Sequence, residues 1–130
     1  MEKISSRIEA GDIVRVDLNP TVGHEKRKER FCLVVEKGCS HLDLIIVLPI
    51  TEDTGKRGNK LYVQIADLKQ AGLRKPSVVD CYQIRTVSIE RLVKNKSGSF
   101  ASGKVSEDVM FEVRTRLALL LDIGEEHIAS

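Results

Sequence analysis

The sequence has too few cysteines for a disulfide scaffold. Cys32, Cys39 and Cys81 make an odd count with no Cys-x-x-Cys spacing, and Cys32 and Cys81 lie in apolar runs where a thiol behaves as a small hydrophobe. A reducing compartment is therefore expected. The N-terminus, MEKISSRIEA, has no apolar stretch of the secretory type. No run approaches the length of a membrane span, which points to a cytoplasmic protein without a membrane partner. Nucleotide-cradling and nucleophile-elbow motifs are missing: there is no P-loop, no G-x-G-x-x-G and no G-x-S-x-G. Cys39-Ser40-His41 has no matching second pair, so no zinc site is expected, and no cofactor either. A strong excess of one charge is lacking too, since the formal net charge is only +2. Nucleic-acid binding would have to come from clustering of cations rather than from their total.

What is present is an ordinary globular composition, with 42% hydrophobic and 31% charged residues in 130 positions. That length is sufficient for one domain with its own core. The most informative stretch is Gly11–Val35, GDIVRVDLNPTVGHEKRKERFCLVV. Ile13, Val14, Val16 and Leu18 alternate well enough for a half-buried strand near Ile13–Leu18. Asn19-Pro20-Thr21 stops it, and Gly23 opens a loop crowded with cations. Phe31–Glu36 resumes as an apolar strand. A charged loop between two buried strands is a rigid mount for polar chemistry.

Further strands are expected at Leu44–Leu48, ended by Pro49, and at Leu61–Ile65. Glu52–Asn59 reads as a polar loop, and Ala66–Leu73 as a helical turn closed by Gly72. Ser77–Gln83 and Ile84–Val93 offer short β segments, and Asn95–Gly103 reads as a glycine and serine linker. Ser106 is a helix N-cap, with Glu107 and Asp108 in the first turn. Val109, Val113, Leu117, Leu120 and Leu121 follow at helical spacing, with Val105 stapled to Met110 and Gly124 as the stop. The expected organisation is a loose leader over residues 1–10, one domain over 11–124 and a tail over 125–130. The expected fold is mainly β, a small bent sheet or barrel with a C-terminal amphipathic helix across it.

Several residues are candidates for chemistry. Arg30 re-enters a strand from the basic loop, where its planar fork suits two phosphate oxygens. The alternative is a surface ion pair with Glu25 or Glu29. His24 or Glu25 can abstract a proton if it faces a substrate hydroxyl, and otherwise is simply solvated. Thr51 can donate its hydroxyl to an anion, or merely cap a turn. Lys26, Arg27 and Lys28, with Lys56, Arg57 and Lys60, form a polyanion-binding rim if their two loops are neighbours. If they are not, these six are a solubilising surface.

Taken together, these residues resemble the MazF/PemK family of toxin endoribonucleases. Gly11-Asp12-Ile13 and Val16-Asp17-Leu18-Asn19-Pro20-Thr21 look like the family's opening "GDI…VD…PT". Gly23-His24-Glu25 with Arg30 look like its "G-x-E…R-P" loop, and Pro49-Ile50-Thr51 like its "P-x-T" strand end. Gly72-Leu73, Ser77 and Gln83-Ile84-Arg85-Thr86-Val87 look like its "G-L…S…Q-x-R-T-[IV]" segment, and Arg91 also falls in order. The resemblance implies an SH3-like β-barrel assembled as a homodimer. It implies metal-independent cleavage of single-stranded RNA and a cognate antitoxin of the MazE/PemI kind as partner. Under it, Arg30 and Thr51 hold the main catalytic positions, and His24 and Glu25 match loop residues tied to catalysis or RNA contact. Gln83 lines the substrate groove, with Tyr82 and Arg85 beside it as RNA-binding candidates.

Three positions depart from the family pattern. Phe31 replaces the proline after the arginine, Arg15 replaces the aromatic of the first strand, and Tyr82 replaces an acidic residue, with Asp80 two positions earlier. Two alternatives stand beside the nuclease: a non-catalytic, gyrase-binding toxin of the CcdB kind, and a degenerate barrel that only binds RNA or protein. The first relies on a C-terminal tryptophan, whereas this chain has none and ends Ala129-Ser130.

Overall fold

The computed structural model describes residues 7–20, 22–25, 28–38, 42–55 and 60–128. In chain order the elements are β1 (Asp12–Asp17), β2 (Glu29–Glu36), β3 (Leu44–Glu52), β4 (Tyr62–Gln64), α1 (Leu68–Ala71) and β5 (Ser77–Asp80). They continue with β6 (Arg85–Ser88), β7 (Leu92–Val93), β8 (Ala101–Lys104), α2 (Glu107–Leu120) and α3 (Glu125–Ile128). Every strand pairing is antiparallel, and the order is β4-β5-β3-β2-β1-β7, with β6 also on β3 and β8 also on β1. The sheet is strongly bent but does not close into a barrel.

The bend explains why β1 is more apolar than a half-buried strand should be. Ile13 belongs to a core shared with Leu33, Leu48 and the helix residues Val109, Met110, Val113 and Leu117. Val14 and Val16 face the opposite side and join Cys32, Val34, Val47, Val87, Leu92 and Phe100. Both faces are thus covered, and consecutive residues 13 and 14 are each fully buried. Helix α2 starts where expected: the Ser106 hydroxyl accepts the Val109 N–H at 3.2 Å. It ends at Leu120, before Gly124. Asp122, at φ 54°, adopts the left-handed conformation after it. Leu121, placed on the apolar face by spacing, is 58% exposed.

Three expectations are corrected. Pro49 does not end β3, which runs on to Glu52. Residues 44–47 pair with β6 and residues 50–52 with β5, so Pro49 falls at the hand-over between partners, where a strand tolerates a missing N–H. The Asn95–Gly103 stretch is not a linker. Asn95 Oδ1 takes the N–H groups of Ser97 and Ser99, Phe100 is buried, and Ala101–Lys104 pairs with β1. The leader is anchored at its described end, because Ile8 is fully buried in the second core.

Next to that anchor, the buried Asp12 carboxylate accepts the Glu9 N–H at 2.8 Å. Burial nonetheless outweighs this bond and raises its pKa. A raised carboxyl pKa means the folded state binds the proton more tightly than the unfolded chain. The ionised side chain therefore costs stability above the folded-state pKa, and the cost disappears below the unfolded value of about 3.9. Asp12→Asn keeps an oxygen acceptor without the charge. We expect it to melt higher than the native protein at pH 7, with the difference shrinking towards pH ~4 as Asp12 protonates. Equal melting-temperature differences at both pH values would contradict this.

Candidate active site

The loop between β1 and β2 is held in place from a distant part of the chain. Arg85 Nη1 donates to the Leu18 carbonyl at 2.9 Å, and Arg91 Nη1 donates to the Asp17 carbonyl at 3.1 Å and also to that of Asn19. Gln83 Nε2 reaches the His24 carbonyl at 3.4 Å. Within the loop, Glu25 Oε1 accepts the Val22 N–H at 2.7 Å, and Asn19 Oδ1 accepts the Lys28 N–H at 3.2 Å. Gly23 and Lys28 sit at φ 60° and 65°, so two left-handed residues shape the turn. Main-chain carbonyls clamped by guanidinium groups make a rigid loop, because charge-assisted bonds are stronger than neutral ones.

This loop forms one wall of a groove of about 550 Å³. His24, Glu25, Tyr82, Gln83 and Arg85 all line it, with Leu18, Val22, Pro49 and Ile84 supplying apolar surface. Five of the site residues expected from sequence are thereby brought together. Arg85, expected to touch RNA, lines the groove and also holds Leu18 through one guanidinium nitrogen. Arg91 has the same holding role, which its position in the sequence did not reveal. Tyr82 stands 69% exposed on a 3₁₀ turn, Cys81–Gln83. Asp80 caps that turn by accepting the Tyr82 N–H at 3.2 Å and is only 3% exposed. Its carboxyl therefore points inward and supplies no acid to the groove.

Arg30 lines neither this groove nor the second one and is half-buried on β2. The β2–β3 register pairs Cys32 with Pro49. Continued two residues outward along both strands, it sets Arg30 opposite Thr51. Arg30 and Arg85 both act electrostatically on the Cys32 thiol, so the two cations share one region of the sheet. Of the two carboxylates offered as surface partners for Arg30, Glu29 lies 3.6 Å from Arg15 and Glu25 accepts the Val22 N–H. Thr51 lines a second groove of about 940 Å³. Pro49 of the first groove and Thr51 of the second are two residues apart on β3, a rise of about 7 Å.

Cys32 and Cys81 are both buried free thiols. Burial pushes the Cys32 thiol up to about 12 and the Cys81 thiol to about 11, so neither presents a thiolate at neutral pH. Among the described residues, no three His, Cys, Asp or Glu side chains are grouped to hold a metal ion. No helix among them is long and apolar enough to cross a membrane. Of the basic rim, Lys28 and Lys60 are exposed. Lys26, Arg27, Lys56 and Arg57 lie outside the described residues, as do Cys39 and His41.

Comparison with known proteins agrees with this architecture. The chain is 31% identical over 118 residues to endoribonuclease PemK of Escherichia coli, covering 89% of this chain and 84% of that one. It is 34% identical over 87 residues to endoribonuclease EndoA of Bacillus subtilis (strain 168), covering 65% and 74%. The fold is similar to MazF from Deinococcus radiodurans, with TM-score 0.69 at 24% identity over 89% of this chain and 97% of that one. A MazE–MazF structure from the same organism gives TM-score 0.66 at 24% identity over 91% and 98%. Residues 9–121 match the family model described as PemK-like, MazF-like toxin of type II toxin-antitoxin system, and the chain belongs to that family.

Proposed function

We propose that this toxin cuts single-stranded RNA without a metal ion, by attack of a ribose 2′-hydroxyl on its own phosphate. What supports this reading is the β2–β3 register, which, continued two residues beyond the Cys32–Pro49 pair, brings Arg30 opposite Thr51, near a groove lined by His24 and Glu25. The Arg30 guanidinium and the Thr51 hydroxyl hold the phosphate and offset the charge that builds up at the pentavalent stage. Glu25 takes the 2′-hydroxyl proton as the bond from O2′ to phosphorus forms. His24 serves as the acid that gives a proton to O5′ as its bond to phosphorus breaks. The products are a 2′,3′-cyclic phosphate and a 5′-hydroxyl.

Glu25 has two roles that one substitution separates. Glu25→Gln keeps an oxygen for the Val22 N–H, so the loop retains its closing bond while the base is lost. We expect its cleavage rate to fall by about 10²-fold or more, the usual range for acid–base help. The decisive assay incubates the native protein with labelled RNA in EDTA and identifies the new ends. Cyclic phosphate and 5′-hydroxyl ends support the proposal. An intact RNA, or cleavage abolished by EDTA, overturns it.

Two partners accompany this reading. Similar structures include MazE–MazF complexes and a mycobacterial endoribonuclease with its cognate antitoxin. By the same logic this toxin takes a MazE/PemI-like antitoxin, acidic and partly disordered, laid along its basic loops. It also acts as a homodimer.

A further inference from the structure

The second groove carries charge that the catalytic reading does not use. Arg15, Arg74, Lys75, Lys94 and Lys96 line it against a single carboxylate, Glu52. Among the described residues, no acidic side chain is paired with Arg74, Lys75 or Lys96. These cations come from β1, from the turn before β5 and from the turn after β7, yet they converge on one concave surface. Like charges converge at a cost unless a polyanion neutralises them.

The floor of the groove adds a second feature. Arg15 and Phe31, two of the departures from the family pattern, are direct cross-strand partners. The Arg15 guanidinium carbon lies over the Phe31 ring, 5.0 Å from its centre, and Glu29 steadies the same head at 3.6 Å. Phe31 rests on the main core beneath. The Arg15 side chain is 43% exposed. A guanidinium backed by an aromatic ring and still partly exposed can stack on a nucleobase, and it carries charge as well.

We infer that this groove, whose lining includes Thr51, is an extension site for single-stranded RNA beyond the first groove. Arg15 on Phe31 stacks a base, while Arg74, Lys75, Lys94 and Lys96 contact phosphates outside the cleaved sequence. The inference rests on the chain acting on RNA. It adds that affinity depends on nucleotides beyond those being cut, with stacking rather than base-edge contacts giving low sequence preference there.

The test uses 2′-O-methyl oligonucleotides, which lack the attacking hydroxyl, at lengths of about five and about fifteen nucleotides, spanning known site sizes. The native protein is expected to bind the longer one at least about tenfold more tightly at low salt. Lys94→Gln/Lys96→Gln should bring that ratio towards one and lower the salt slope of the long oligonucleotide by about 1.4, or 0.7 per lost contact. Arg15→Lys should weaken the long oligonucleotide several-fold while keeping the salt slope, because charge survives and the stacking plane does not. Melting curves of both variants check that the fold is intact. Equal affinity of the native protein for both lengths, or an unchanged slope in the double variant, overturns the inference. A double variant that binds RNA normally but loses poly-glutamate would assign the groove to an acidic polypeptide and equally overturn it. If the native protein cuts RNA in EDTA yet shows no length preference, only the extension site is refuted. If it neither cuts nor binds RNA, the nuclease proposal goes with it.

Discussion

Arg30→Ala is expected to lower the rate of RNA cleavage by about 10²–10³-fold, the usual loss when one preorganised donor to a developing oxyanion is removed. The residue sits on β2, whose register with β1 pairs it with Val16 and fixes its backbone in that ladder. Few side chains in the molecule are better placed to hold a charge still while a phosphate changes shape. Arg30→Lys should recover only part of the rate, because an ammonium cannot engage two phosphate oxygens in one plane. Single-turnover rates at saturating RNA read this directly, with binding measured separately on the non-cleavable oligonucleotide. If Arg30→Ala cuts as fast as the native protein, the catalytic assignment fails, and Thr51 loses its partner with it.

The largest loss of stability is expected at Gly103. A Cβ placed there would stand 2.3 Å from the Ala71 carbonyl carbon and 2.6 Å from the Gln70 oxygen. These are main-chain atoms of α1, so no side chain can swing away to make room. Gly72, at φ 72°, closes α1 against the same strand, and a Cβ there would meet the Ser102 oxygen at 2.3 Å. The two glycines let a helix end and β8 touch backbone to backbone. Gly103→Ala must push α1 away from β8 and should cost about 3 kcal/mol or more, at the upper end for overpacking. Gly98→Ala is the control: its left-handed φ of 83° is strained, but nothing lies within 4 Å. It should cost about 1 kcal/mol. Urea unfolding of the two variants measures both, and equal losses would refute the close-approach argument.

Those glycines also show where sequence reading was limited. A run such as NKSGSFASG has the composition of a linker, and its composition alone gives no reason to expect a strand. The deciding facts are the burial of Phe100, the pairing of β8 with β1, and the approach of α1. All three depend on residues far away in the chain. By contrast, β1, β2 and α2 were legible because period and capping are local properties. Pro49 misled for the same reason, since a proline ends a strand only where its N–H is needed, and two successive partners remove that need. The half-buried pattern expected for β1 missed its second covered face, because the bend that buries it is a property of the whole sheet.

The site was legible to a similar degree. His24, Glu25, Tyr82, Gln83 and Arg85 do meet in one groove, and Thr51 stands at its neighbour. A second role of Arg85 was not legible, since its guanidinium also acts on a main-chain carbonyl, an acceptor that every residue carries and no sequence pattern marks. The cations of the second groove were missed because Arg15, Arg74 and Lys96 are scattered along the chain and form no run. A basic loop attracts notice, whereas a basic surface assembled from one strand and two separate turns does not.

The clamp on the β1–β2 loop has a consequence for how this gene would behave under selection. Arg85 and Arg91 reach back 67 and 74 positions to fix the loop that presents His24 and Glu25. Host cells that escape the toxin should therefore carry lesions in two clusters, one in the loop and one around β6. The second cluster would mark residues that shape the catalytic loop from behind.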